Sequence, residues 1–167
     1  DLMQLHRVDR NFPIDDQVGV LAEMKSEGKI GHIGLSEVDV DQLRAAQQIT
    51  PISSVQNLYN LANRAAEPVL NEAEAQGIGF IPWFPLAAGE LAKPGSVLDR
   101  IATAHGATPG QIALAWTLKR SPVMLPIPGT GKLSHLEQNV AAADIVLSDA
   151  EFAELDAAGK AASAAKG

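Results

Sequence analysis

Val123 to Asn139 reads VMLPIPGTGKLSHLEQN. A short apolar run, Val123 to Ile127, breaks at Pro128-Gly129, and Thr130-Gly131-Lys132 follows. Ser134 then opens an amphipathic run with Glu137 three residues on. That spacing is a capping box, in which the two side chains satisfy free N–H groups at a helix start. The stretch therefore predicts a strand, a glycine loop and a helix N-terminus. Such a loop can hold an anion, because its free N–H groups and the helix dipole point the same way. Taken alone it reads first as the ordinary joint of a parallel α/β protein that binds nothing, and the rest of the chain supplies the context that decides.

Upstream, the same unit recurs. Leu2 to Leu5 reads as a buried strand ending at His6, and Ile14 to Lys25 as a helix stopped by Gly28. Strands follow at Ile30 to Leu35, Ile52 to Gln56 and Ile78 to Trp83. Between them lie a helix capped by Asp39 and one from Ala65 to Ala75 that closes at Gly77. Two helices, Val97 to His105 and Pro109 to Leu118, precede the opening stretch; Pro109 after Thr108 suits a first helical position. Ser148 begins a last helix with Phe152 and Leu155 inward, and the alanine-rich tail, 158–167, is expected to fray. Five strands alternating with helices predict parallel pairing through right-handed crossovers. The strands are near-continuous apolar runs, as in a sheet covered on both faces.

With 167 residues the chain is long enough for a single domain, 1–167, with a real core. A net charge of −7 and a pI of about 5.0 argue against nucleic-acid or anionic-membrane surfaces. The absence of cysteine excludes disulfides and thiolate metal sites, and no His/Asp/Glu spacing suggests another metal site. Neither a membrane-spanning run nor a signal-peptide pattern is visible, so a cytoplasmic protein is expected. The opening residues, DLMQLH, lie inside an element from the start, which suggests a fragment.

Polar or aromatic residues cluster wherever a strand ends: His6, Ser36-Glu37, Gln56-Asn57, Trp83-Phe84 and Gly129-Thr130-Gly131. In a (β/α) barrel all strand C-termini lie on one face, and the active site is built there. At these residues the chain resembles the aldo-keto reductases, NADP-dependent (β/α)8 TIM-barrel oxidoreductases. QLHRVD, GKIGHIGLSEV, VQNLYN, FIPWFPL and PIPGTGKLSHLEQN occur in that family's order and spacing. The match corresponds to the fourth through eighth β/α units, a partial barrel of about five.

The resemblance implies roles residue by residue. His6 matches the catalytic histidine that polarises a substrate carbonyl. Ser36, with Glu37 beside it, and Gln56 match positions at the nicotinamide carboxamide. Trp83 matches the aromatic that stacks on the nicotinamide, and Phe84, Pro85 and Leu86 match loop residues along the cofactor. Gly129, Gly131, Lys132, His135, Gln138 and Asn139 match the adenosine and 2′-phosphate end. His135 stands where many relatives place an arginine, which bears on the preference for NADP over NAD. Each position also has a bland reading: a packed histidine or tryptophan at a strand end, a glutamine bonded to backbone, a solvated helix start. His32 and His105 match no role and read as structural.

The implied reaction is NADPH-dependent reduction of aldehydes or ketones to alcohols. The tyrosine, lysine and aspartate that complete the family's catalytic set belong to the units not matched; Tyr59, the one tyrosine, does not align with them. The chain by itself is therefore expected to be inactive, and to need the remaining barrel or another chain to close its sheet. Its substrate loops are expected partly in the units not matched and partly at 87–96 and the C-terminal tail. Two alternatives stand beside this reading: a non-catalytic cofactor-binding subunit like the potassium-channel β subunits, against which His6 argues, and an inactive truncated fragment.

Overall fold

Leu2, Met3, Gln4 and Leu5 stand opposite His32, Ile33, Gly34 and Leu35 in a parallel ladder. This is the first of three such pairings in the computed structural model, which describes residues 1–87 and 89–165. Strands β1 (Leu2–Leu5), β2 (His32–Ser36), β3 (Ser54–Gln56) and β4 (Gly79–Phe80) form one parallel sheet in chain order. By packing, the chain divides into two units: Asp1–Asn57 with Ala66–Ile81, and Leu58–Ala65 with the chain from Pro82 onward.

The first unit holds the sheet and helices α1 (Ile14–Ser26), α2 (Val40–Gln47) and α3 (Glu67–Gln76). Asp39 caps α2 as expected, its carboxylate accepting from the Gln42 N–H at 2.8 Å while Gln42 accepts from the Asp39 N–H at 3.0 Å. Gly77 closes α3 in the left-handed conformation, φ 67°. Val18, Ile33, Leu35, Leu43, Val55, Leu70 and Phe80 are buried between sheet and helices. At Gly34 a β-carbon would meet the Ser54 hydroxyl at 2.3 Å. Glycine is needed there because Gln4 reaches over it to donate to Ser54 Oγ at 3.1 Å.

Two strand expectations are corrected. The described residues form four strands, and Val123 to Ile127 is not a fifth. Pro126 and Pro128 have no N–H to give a ladder, and Leu125 and Ile127 stay exposed. Likewise β4 is only Gly79–Phe80, because Pro82 ends the run that was expected to reach Trp83.

The second unit is helical: α4 (Val97–Ala104), α5 (Pro109–Arg120), α6 (Leu133–Ala141) and α7 (Asp149–Ala164), with 3-10 turns at Gly89–Ala92 and Ala142–Asp144. Thr108 and Ser148 form capping boxes with Gln111 and Glu151. Its core centres on Trp116, fully buried and stacked on Phe152 at 5.9 Å and Tyr59 at 6.2 Å. The guanidinium of Arg64 lies 3.9 Å from the Trp116 ring centre. Arg64 donates to Tyr59 Oη, the Leu61 carbonyl and Asp156, at 3.0, 3.1 and 2.8 Å.

Where the sequence predicts fraying from 158, the helix continues to Ala164. Gly159 lets α7 approach so closely that a β-carbon there would stand 2.2 Å from the Leu61 carbonyl oxygen. Ser163 Oγ accepts from the Arg64 N–H at 3.0 Å. The last two tail positions, Lys166 and Gly167, and Ala88 of the expected substrate loop lie outside the described residues. Among the described residues no helix is long and apolar enough to cross a membrane.

Two outcomes follow from this packing. Gly159→Ala should cost roughly 1–3 kcal/mol by overpacking, whereas Gly19→Ala, in α1 with nothing within 4 Å of its added carbon, should stabilise by about 0.5–1 kcal/mol through helix propensity; urea midpoints compare them. The second outcome concerns Glu151. Hydrogen bonds from Ser148, supported by His105, hold its carboxyl down from 4.5 to about 2. The unfolded chain takes up that proton near 4.5 and the folded chain only near 2. The contribution is thus complete above the first value and lost as pH falls through the second. Urea midpoints of wild type and Glu151→Gln should differ most at neutral pH and converge towards pH 2.

Candidate functional site

Parallel pairing brings every strand of the first unit out on the same edge, and three polar side chains gather there. Ser36 and Gln56 are register partners at the ends of β2 and β3. His6 directly follows Leu5, which pairs with Leu35. Ser36 is buried, Gln56 half-buried and His6 exposed. Arg7 joins two of them: its Nη1 donates to the His6 carbonyl at 2.6 Å and to Ser36 Oγ at 3.1 Å. The next residue, Glu37, has φ 54° and donates its N–H to the Gln56 carbonyl at 3.0 Å. Asn57 clasps the backbone beyond it, donating to the Val38 carbonyl at 2.8 Å and accepting from the Val38 N–H at 3.2 Å.

In the second unit, Trp83 forms a single parallel bridge with Leu58. Its ring is 6.3 Å from that of Phe84, tilted by 39°. Phe84 is 63% exposed and has φ 59°. Its carbonyl accepts from the Ala87 N–H at 3.4 Å and from Asn60 Nδ2 at 3.1 Å. Pro85 is buried beneath the turn and Leu86 half-buried.

Leu86 also lines an open cleft of about 150 Å³ with Gly129, His135, Gln138 and Asn139. Thr108, Gly110, Gln111 and Thr130 complete it. Asn139 Nδ2 is buried and has no hydrogen-bond partner among the described residues, an arrangement that costs free energy unless a group arrives to accept from it. Neither Gly129 nor Gly131 has a positive φ, and nothing lies within 4 Å of a β-carbon built on either. Packing and backbone therefore do not require glycine there, whereas close approach of a bound group would.

The capping box expected at Ser134 and Glu137 does not form. Helix α6 starts at Leu133 with Lys132 as its N-cap and no side-chain cap. Ser134 is thus already inside the helix, past the position from which a hydroxyl can cap. Thr130 instead accepts from the Lys132 N–H at 3.1 Å. Lys132 and His135 are exposed.

The aldo/keto reductase family matches residues 1–160. The chain belongs to that family. It is 57% identical over 160 residues to an uncharacterized oxidoreductase of Schizosaccharomyces pombe, covering 96% of this chain and 52% of the relative. It is 43% identical over 143 residues to pyridoxine 4-dehydrogenase of Escherichia coli, covering 86% and 50%. A solved aldo-keto reductase from Klebsiella pneumoniae, in complex with NADPH, superposes with a TM-score of 0.84 at 32% identity, over 95% of this chain and 58% of that one. The chain spans about half the length of the curated relatives it matches. Its parallel sheet and helices are part of the (β/α)8 barrel of the aldo-keto reductases.

Within this aldo-keto reductase chain, the first unit brings His6, Ser36, Glu37 and Gln56 to one sheet edge. The second brings Leu86, Gly129, His135, Gln138 and Asn139 to one cleft, while Trp83, Phe84, Pro85, Gly131 and Lys132 lie outside its lining. Tyr59 is fully buried, with its hydroxyl on Arg64. It is in no position to give a proton to a substrate. The sequence reading passes over Arg7, Asn60 and the cleft residues from the start of α5. Of these only Thr108-Pro109-Gly110-Gln111 carries a local signal, a helix start, and that signal says nothing about a ligand. His32 and His105, read as structural, make side-chain contacts to Ser53 and Glu151.

Proposed function

We propose that the chain is the histidine-bearing, cofactor-binding part of an NADP(H)-dependent reductase that converts aldehydes or ketones to alcohols. The observation that carries this reading is the cleft lined by Leu86, Gly129, His135, Gln138 and Asn139, with Asn139 Nδ2 buried and without a hydrogen-bond partner among the described residues. Kinship with an oxidoreductase and a dehydrogenase, and the NADPH held by the Klebsiella pneumoniae enzyme, support it.

When bound, the nicotinamide supplies the hydride. The remaining work falls to side chains. His6 would hydrogen-bond the substrate carbonyl oxygen and polarise it. Ser36 accepts from Arg7 and keeps its own proton to donate to a carboxamide oxygen. Gln56 would pair donor and acceptor with that same carboxamide. Glu37 stands beside Ser36 in this role, and Trp83 would offer a flat apolar face to the nicotinamide ring, with Phe84, Pro85 and Leu86 along the cofactor. Lys132 supplies positive charge for the 2′-phosphate and His135 a further donor. Gln138 and the free donor of Asn139 suit an adenine edge, while Gly129 and Gly131 leave room for the backbone to approach. Since Tyr59 is sequestered, the proton donor has to come from further β/α units, in the same polypeptide or in another chain.

The same units would cover what this chain leaves bare. Leu2 and Met3 on the edge strand are 44% and 47% exposed, and α6 exposes Leu133, Leu136 and Val140. The chain by itself is accordingly expected to self-associate. Size-exclusion chromatography over a range of concentrations checks this; a concentration-independent monomer with a sharp two-state melt would count against it.

Catalysis is tested by following NADPH oxidation with simple aldehydes, using the chain alone and the chain joined to the family's preceding β/α units. Turnover is expected only from the joined protein. His6→Ala there should lower kcat by about 10²–10⁴-fold with little change in NADPH affinity. Tight NADPH binding without any turnover in the joined protein would reject the enzyme and favour a cofactor-binding subunit.

A further inference from the structure

The backbone at Phe84 is out of place for its residue type. Its φ of 59° falls in the left-handed region, which a bulky L-residue occupies only when its surroundings compel it. The ring is largely exposed, so packing of the side chain does not supply that compulsion. The turn's own hydrogen bond, from the Ala87 N–H, is long at 3.4 Å. The shorter bond to the Phe84 carbonyl comes from Asn60 Nδ2 at 3.1 Å, across 24 residues of sequence.

Asn60 is itself fixed. It is 3% exposed. Its backbone exchanges two hydrogen bonds with Asn63, at 3.1 and 3.2 Å. Its Oδ1 accepts from the Ala62 N–H at 3.0 Å, which determines the amide's orientation and turns Nδ2 towards Phe84. Only an amide serves both partners. A carboxylate would keep the Ala62 bond and set an oxygen against the Phe84 carbonyl. All these groups belong to the second unit.

We propose that Asn60 is a positioning residue: it holds Phe84 in its left-handed turn and thereby presents Trp83, Phe84 and Leu86 to the cofactor. The presentation to cofactor rests on the function proposed above; the hold on the turn does not. An equivalent device occurs in the first unit, where Asn57 clasps Val38 next to left-handed Glu37.

The discriminating variant is Asn60→Asp, which preserves the acceptor for Ala62 and removes the donor to Phe84. Amide hydrogen exchange, measured without cofactor, should speed up about tenfold over residues 83–87, as expected from losing one buried hydrogen bond, and remain unchanged at Ala62. Unaltered exchange over 83–87 overturns the proposal. If Asn60→Asp fails to fold, the double variant Asn60→Asp/Phe84→Gly decides, because glycine adopts this φ freely: recovery of the fold supports action through residue 84, and continued unfolding overturns it. Calorimetric titration with NADPH, in the chain joined to the family's preceding β/α units, then separates the two readings. Binding weakened by about tenfold in Asn60→Asp supports both. Faster exchange in the variant, with no binding even by wild type, upholds the positioning of the turn and rejects the cofactor reading. Equal exchange and equal affinity reject the positioning role alone.

Discussion

A guanidinium buried among aromatic rings organises the second unit. Arg64 is 8% exposed, and a charge so placed is tolerable only when its donors are satisfied and a counter-charge is near. Asp156 supplies the charge, Tyr59 and Leu61 the acceptors, and the face of Trp116 a cation–π contact. Burial opposes ionisation of Asp156, yet Lys160 and Arg64 together outweigh it and hold the carboxyl below its ordinary value. These partners lie on α7, on α5 and in the segment 58–65. One side chain therefore ties the C-terminal helix to the segment that carries Asn60, and the close approach at Gly159 belongs to the same arrangement.

Strain and support occur side by side at the candidate site. The two non-glycine residues with positive φ, among those described, are Glu37 and Phe84. Glu37 follows Ser36 at the end of β2 and Phe84 follows Trp83, and each has an asparagine amide bonded to nearby backbone. Backbone conformations that cost free energy tend to persist where function selects them and neighbouring contacts enforce them. The segment Asn57 to Asn60 provides both supports, so its sequence is constrained for reasons separate from its own burial.

Much of this was legible in the sequence, and the failures have physical causes. Capping at Asp39 and the proline start after Thr108 were readable because those signals act within four residues. The identical Ser-x-x-Glu spacing at 134–137 misled, since a pattern fixes spacing but not helix register, and α6 begins two residues earlier than that box requires. The apolar run at 123–127 looked like a strand in composition, but alternate prolines leave it without the donors that pairing needs. The tail from 158 was expected to fray as a chain end, but Gly159 packs against the Leu61 carbonyl and Ser163 accepts from the Arg64 N–H, contacts that no local pattern records. The strand ends at His6, Ser36 and Gln56 were readable as neighbours, because a parallel sheet delivers its C-terminal ends to one edge. The roles of Arg7, Asn57 and Asn60 were not readable at all: they depend on partners 29, 19 and 24 residues away.

The two tryptophans occupy opposite environments, and this gives the protein a built-in optical division of labour. Trp116 is sealed from solvent between Phe152, Tyr59 and the Arg64 guanidinium. Trp83 is partly open to solvent beside Phe84. A soluble fluorescence quencher should reach Trp83 in the folded protein and Trp116 only after unfolding. Emission from this one chain can thus be resolved into a signal for the candidate site and a separate signal for the integrity of the core.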